Sequence, residues 1–256
     1  MQLIKLHDPA DGQMRVVGLM SGSGSNLRKI LEAEKQFDVE KGQSPFTMVA
    51  IFSDSYDSNA PEIGKDFDLP VVIRDKKGFY AAREKSLRDL VVRAEFDREN
   101  VRALEPFEAT VAAYGGYMSI ATAPLMDAFL GVNVHPADLS IMDGGWRKYT
   151  GDNAVLDAIL GGEPELRSST HIIEPEVDGG RLLMVSRPLK VVLPRGFASF
   201  AGPEVANGHQ ERLKKVGDWD IFPKTLQYLA EGRYSKDSEG SLYFDGDSIP
   251  EGVRLE

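Results

Sequence analysis

The chain has 256 residues, enough for a sizeable core, and its 42% apolar and 27% charged content is that of a globular protein. The absence of cysteine excludes disulfides, thiolate metal sites and thiol catalysis. A formal charge of −10 counts against nucleic-acid partners; no apolar run reaches the ~20 residues of a membrane helix, and Met1 to Gln13 lacks a signal-peptide core, so the expected compartment is the cytoplasm.

In chain order, the apolar run Met14 to Met20 reads as a buried strand, and Ser21 to Ser25 (SGSGS) as a tight turn. Asn26 to Phe37 has apolar residues at helical spacing. Thr47 to Ser53 is a second strand, Asn59 to Phe67 a helix, and Leu69 to Ile73 a third strand. A long helical stretch from about Tyr80 to Leu104 is expected to break near Phe96. Ala109 to Tyr114 is the next strand, Ala123 to Phe129 a short helix, and Gly131 to His135 another strand. This alternation predicts an α/β fold with a mainly parallel, twisted, Rossmann-like sheet and helices on both faces. After Pro136 the pattern changes. Asp152 to Leu160 reads as a helix. Thr170 to Ile173 and Arg181 to Leu193 read as strands, joined through Asp178-Gly179-Gly180 and paired antiparallel. Gly208 to Glu231 is helical, and the polar tail contains a small strand at Leu242 to Phe244.

The strand–SGSGSN–helix segment is the first chemical constellation. Gly22 and Gly24 admit positive φ and close approach to the backbone, and the loop's N–H groups with the following helix N-terminus form an anion site to which Ser23, Ser25 and Asn26 belong. A plain turn with Ser25 as the helix cap is the alternative. A dinucleotide fingerprint fits less well, since Leu27 stands at its third glycine position. Further on, Asn133 and His135 share one face at the end of a predicted parallel strand, where ligands of such sheets bind. An amide suits a developing oxyanion and an imidazole titrates near neutrality; equally, His135 can be a hydrogen-bonded core residue. Asp178 lies in an Asp-Gly turn, which by itself needs no further role.

Taken in order, VVGLMSGSGSNL (Val16 to Leu27), VAIFSDS (Val49 to Ser55), RAEFDRE (Arg93 to Glu99), GGYMSI (Gly115 to Ile120), VNVHP (Val132 to Pro136), KYTG (Lys148 to Gly151), SSTH (Ser168 to His171), EVDGG (Glu176 to Gly180), DIFP (Asp220 to Pro223) and LAEGR (Leu229 to Arg233) resemble the glycinamide ribonucleotide formyltransferase family. The resemblance runs from about Arg15 to the tail. It implies a formyltransferase fold in one domain over 1–256, with a phosphate-binding half at 14–135, a folate-binding half at 136–200 and a C-terminal helix and tail at 201–256. It implies transfer of a formyl group from the co-substrate 10-formyltetrahydrofolate to the amine of glycinamide ribonucleotide, without a metal. The implied catalytic residues are Asn133, His135 and Asp178. The phosphate would rest on Gly22, Ser23, Gly24, Ser25 and Asn26, and folate against Arg93, Tyr117, Met118, Ser119 and Ile120. Lys215 and Asp218 would reach the acceptor, with solvent as the alternative for Lys215. Partners are small molecules, with neither nucleic acid nor membrane, in a monomer or homodimer.

The sequence departs from the family in places. Ser119 replaces an arginine in the folate-side loop, and Thr150 replaces a proline. Insertions lengthen the loop around Asp143 to Trp146, as a lid or a packing element, and the segment between Ile73 and Arg93. Asp218 replaces a glutamate and Lys215 a glutamine. Alternatives are a formyltransferase for another small amine such as an amino-sugar nucleotide, a formyltetrahydrofolate hydrolase, a tRNA formyltransferase and a nicotinamide-dependent oxidoreductase. The hydrolase and the tRNA enzyme are expected to need an added domain, and the oxidoreductase the missing third glycine.

Overall fold

The computed structural model describes residues 2–193 and 202–256. The expected boundary at 200–201 lies outside the described residues. Contacts divide the chain into two compact units, one of residues 7–133 with 173–175, the other of 1–6, 134–172 and 176–256.

The first unit is built on five parallel strands in the order Leu130–Asn133, Val111–Tyr114, Met14–Met20, Phe46–Ser53, Val71–Ile73. Side-chain alternation along the central strand sorts the core. Val17 and Leu19 join Phe96 and Leu104 of the helix Leu90–Leu104 and Leu125 of the helix Ala123–Ala128. On the other face Gly18 lies against Leu27 of the helix Ser25–Lys41, where a β-carbon would come within 2.9 Å of the leucine. Helices therefore flank the sheet on both faces, as a parallel sheet requires.

The break expected near Phe96 falls earlier. The chain forms Lys76–Ala81 and then Leu90–Leu104, and Phe96 is buried inside the second helix. Asp89 decides this: its carboxylate accepts the N–H groups of Val91 and Val92 and starts a new helix.

In the second unit Ser169–Ile172 and Leu182–Val185 pair antiparallel, and the tail strand Val253–Arg254 runs parallel to Leu182–Val185. The strands Met142–Asp143 and Trp146–Arg147 form a hairpin. Its turn residues Gly144 and Gly145 both have positive φ, 57° and 87°, which matches the twist of a two-residue hairpin. A small antiparallel sheet joins Ile4–Lys5, Tyr234–Lys236, Leu242–Phe244 and Asp247–Ser248. The C-terminal helical stretch is Pro203–Leu213 and Trp219–Ala230, joined through a π-helical turn at Lys214–Asp218. No helix among the described residues is long and apolar enough to cross a membrane.

Candidate active site

In the second unit the structure brings two of the three expected catalytic side chains together. His135 ends the strand Leu130–His135, and Asp178 occupies the turn between the antiparallel strands, where Gly179 N–H bonds the Glu176 carbonyl. His135 Nδ1 lies 3.5 Å from Asp178 Oδ2. His135 Nε2 donates to the Tyr149 carbonyl at 3.0 Å. A third group joins them, one the sequence does not single out: His171 Nε2 lies 3.6 Å from Asp178 Oδ1, with its Nδ1 donating to the Ile172 carbonyl. Gly151 N–H donates to Asp178 Oδ2 at 2.8 Å. The carboxylate therefore faces an imidazole with each oxygen and takes a main-chain amide as well.

Both histidines and Asp178 are almost wholly buried. Burial raises the Asp178 carboxyl pKa, but His171, the charge of His135 and the Gly151 amide outweigh it and hold the pKa at about 2. Asp178 is a carboxylate at neutral pH. Burial pulls the His135 imidazole down from its ordinary value, and Asp178 and the Tyr149 carbonyl oppose that pull. Two acceptors thus orient the imidazole while burial disfavours its protonated form. Asn133 is half-buried and stands two residues before His135 on the same strand. Among the described residues no group of three His, Asp or Glu side chains is placed to hold a metal ion.

The glycine loop belongs to the first unit. Gly24, not Ser25, precedes the first helical residue, with φ 65°, and no side chain caps the helix. The reason is packing: a β-carbon at Gly24 would lie 2.6 Å from Ile63 Cδ1 and from Met20 Cε, so the chain must turn there on glycine. The loop is tied down by Ser21 N–H to the Gly116 carbonyl and by Asn59 N–H to the Gly22 carbonyl, both 3.0 Å. Gly22 and Ser23 are exposed, and Ser25 and Asn26 half-buried.

The expected folate-side residues separate by depth. Arg93 is buried, ion-paired with Asp97 at 2.7 Å, and donates to the Tyr117 hydroxyl. Asp97 also accepts the Thr122 N–H and hydroxyl. The Arg93–Asp97 pair thus anchors both ends of the 117–122 loop, which leaves Met118 and Ile120 exposed. Ser119 donates to Asp54 Oδ2 and accepts from Lys76, which is itself paired with Asp54 at 3.0 Å. Lys76 comes from the segment after Ile73, so a cation stands beside Ser119. In the second unit, Asp218 is buried and accepts the Ser168 hydroxyl at 2.6 Å, whereas Lys215 is exposed.

A family model described as formyl transferase matches residues 14–192. The chain is 26% identical over 241 residues to the phosphoribosylglycinamide formyltransferase of Escherichia coli (strain K12), across 93% of this chain and 96% of that protein. It is 25% identical over 238 residues to the Haemophilus influenzae protein of the same name, across 92% and 96%. Among solved structures, a phosphoribosylglycinamide formyltransferase from Coxiella burnetii superposes with a TM-score of 0.72 at 22% identity, over 95% of this chain and all of the other. Glycinamide ribonucleotide transformylase 1 from Symbiobacterium toebii gives 0.69 at 21%, over 91% and 94%. The likeness to these structures is one of fold.

Proposed function

The chain belongs to the formyl transferase family, and from that premise we propose that it moves the formyl group of 10-formyltetrahydrofolate to the amine of glycinamide ribonucleotide, in de novo purine synthesis and in the cytoplasm. The observation that carries this reading is the ionised Asp178 between His135 and His171, in a chain similar along most of its length to proteins named for that reaction.

In this mechanism the amine attacks the formyl carbon, and the carbonyl oxygen takes the negative charge. The Asn133 amide and an N–H of His135 stabilise that oxyanion; one such donor is commonly worth ~3 kcal/mol in the transition state. Both His135 nitrogens already face acceptors, the Tyr149 carbonyl and Asp178. The ring therefore serves the oxyanion by exchanging the Tyr149 carbonyl for the substrate oxygen. Asp178, a carboxylate at rest, accepts the proton leaving the attacking amine, through water, and returns it to the folate nitrogen as the carbon–nitrogen bond breaks. The products are the formylated amine and tetrahydrofolate. The acceptor's phosphate rests on Gly22 to Asn26, an uncapped helix N-terminus with exposed loop amides. The folate lies against Met118, Ser119 and Ile120, with Arg93 acting through Tyr117 rather than by direct contact. Asp218 and the exposed Lys215 serve the acceptor.

An acceptor panel tests the reading. With 10-formyltetrahydrofolate as donor, glycinamide ribonucleotide is expected to be formylated in preference to amino-sugar nucleotides. Preference for an amino sugar, or formate release without any amine, would replace it.

A further inference from the structure

The inserted hairpin ends on a side chain that neither composition nor motif singles out. Arg147, the last residue of the strand Trp146–Arg147, donates from Nη1 to the Asp178 carbonyl and from Nη2 to the Gly180 carbonyl at 2.7 Å. Asp178 has φ 53°, in the left-handed region, which aspartate enters more readily than most residues but still at a cost in free energy. A planar guanidinium bonding two carbonyls that bracket Gly179 fixes the turn as a point charge does not. Four residues further on, Gly151 holds the carboxylate itself, and between them the Tyr149 carbonyl holds His135. One short segment, 147–151, thus sets the backbone of Asp178, one of its oxygens and the orientation of the imidazole that faces it.

We infer that Arg147 is a positioning residue for Asp178: by gripping the two main-chain carbonyls of the turn it holds the carboxylate between His135 and His171, and so governs turnover rather than substrate affinity. The inference rests on the reading of Asp178 as catalytic. It gives the inserted hairpin a role beyond packing, since the hairpin delivers the guanidinium to the turn.

The test compares the full-length wild type with Arg147→Met, Arg147→Lys, Asp178→Asn and the Arg147→Met/Asp178→Asn pair in the formyl-transfer reaction. Misplacing the carboxylate by a fraction of an ångström is expected to lower kcat of Arg147→Met by ~10- to 100-fold, with KM for both substrates within about threefold. Arg147→Lys, which keeps the charge and can reach one carbonyl, is expected to fall between. In the Asp178→Asn background the Arg147→Met change is expected to cost less than about twofold, because the group it positions is already gone. A merely structural role would lower thermal stability and cost the same factor in both backgrounds; that result would overturn the inference. So would wild-type-like turnover in Arg147→Met beside a strongly impaired Asp178→Asn. If Asp178→Asn itself turns over normally, the catalytic reading fails first, and the two failures are told apart. Should Arg147→Met not fold, Arg147→Lys in the two backgrounds carries the same comparison.

Discussion

His171 Nε2 lies 3.6 Å from Asp178 Oδ1, the carboxylate oxygen that His135 does not face. A carboxylate set between two imidazoles stays ionised at neutral pH, so in the proposed reaction Asp178 starts without a proton.

The roles of the trio and of His171 are tested by kcat. Asn133→Ala, His135→Ala and Asp178→Asn are each expected to lower it by at least ~10²-fold, by loss of oxyanion stabilisation or of proton transfer. His171→Gln, which keeps the fold of its strand but weakens its hold on Asp178, is expected to lower kcat by ~10-fold or more. Circular dichroism checks that each variant is folded; wild-type turnover in His135→Ala would remove the assignment.

Acid stability follows from Asp178. Its carboxyl pKa is held below the ordinary 3.8, at about 2, so its stabilising contribution is complete above about pH 4 and is lost as the pH falls through 2. The shift corresponds to about 2 kcal/mol. Urea unfolding at pH 5, 3 and 2 is expected to show the wild type losing this much more than Asp178→Asn. Parallel losses in the two proteins would contradict it.

The sequence made most of this legible where local chemistry decides. The strand Met14–Met20 has the bounds its apolar run predicts, and the parallel order follows from strand–helix alternation. The His135–Asp178 pairing was accessible only through the resemblance, because the two residues are far apart in the chain and neither is distinctive alone. His171 closes the SSTH motif, which by itself gives the imidazole no role. Its only local sign is an imidazole on a short strand paired with the strand after Asp178, and its closeness to that carboxylate depends on the hairpin. Arg147 was invisible for a similar reason: two-residue strands carry no periodicity, and the carbonyls it grips are some thirty residues on in the chain. The tail strand Val253–Arg254 escaped for the same lack of pattern. The helix break before Leu90 turned on one capping aspartate rather than on hydrophobic spacing.

The glycine loop separates binding from folding. Gly24→Ala puts a β-carbon against Ile63 and Met20 at positive φ, and is expected to cost ~1–3 kcal/mol in urea unfolding. A β-carbon at Gly22 meets nothing within 4 Å. Gly22→Asp is therefore expected to leave stability within ~0.5 kcal/mol, while its carboxylate repels the acceptor's phosphate and raises acceptor KM by ~10-fold or more. An unchanged acceptor KM would make the loop a structural turn only.

Arg93 is expected to act on stability before ligand. Arg93→Met leaves the Asp97 carboxylate buried without its cation, at a cost of ~3 kcal/mol or more. Arg93→Met/Asp97→Leu is expected to recover part of it. A stable Arg93→Met with raised folate KM would instead place the guanidinium on the ligand.

The most direct measurement is the absorbance change on mixing the wild-type protein with 10-formyltetrahydrofolate, with and without glycinamide ribonucleotide. Deformylation of the folate that depends on the ribonucleotide and yields its formylated amine is the predicted result. Equal folate turnover with the acceptor omitted, or none with it present, would contradict the account.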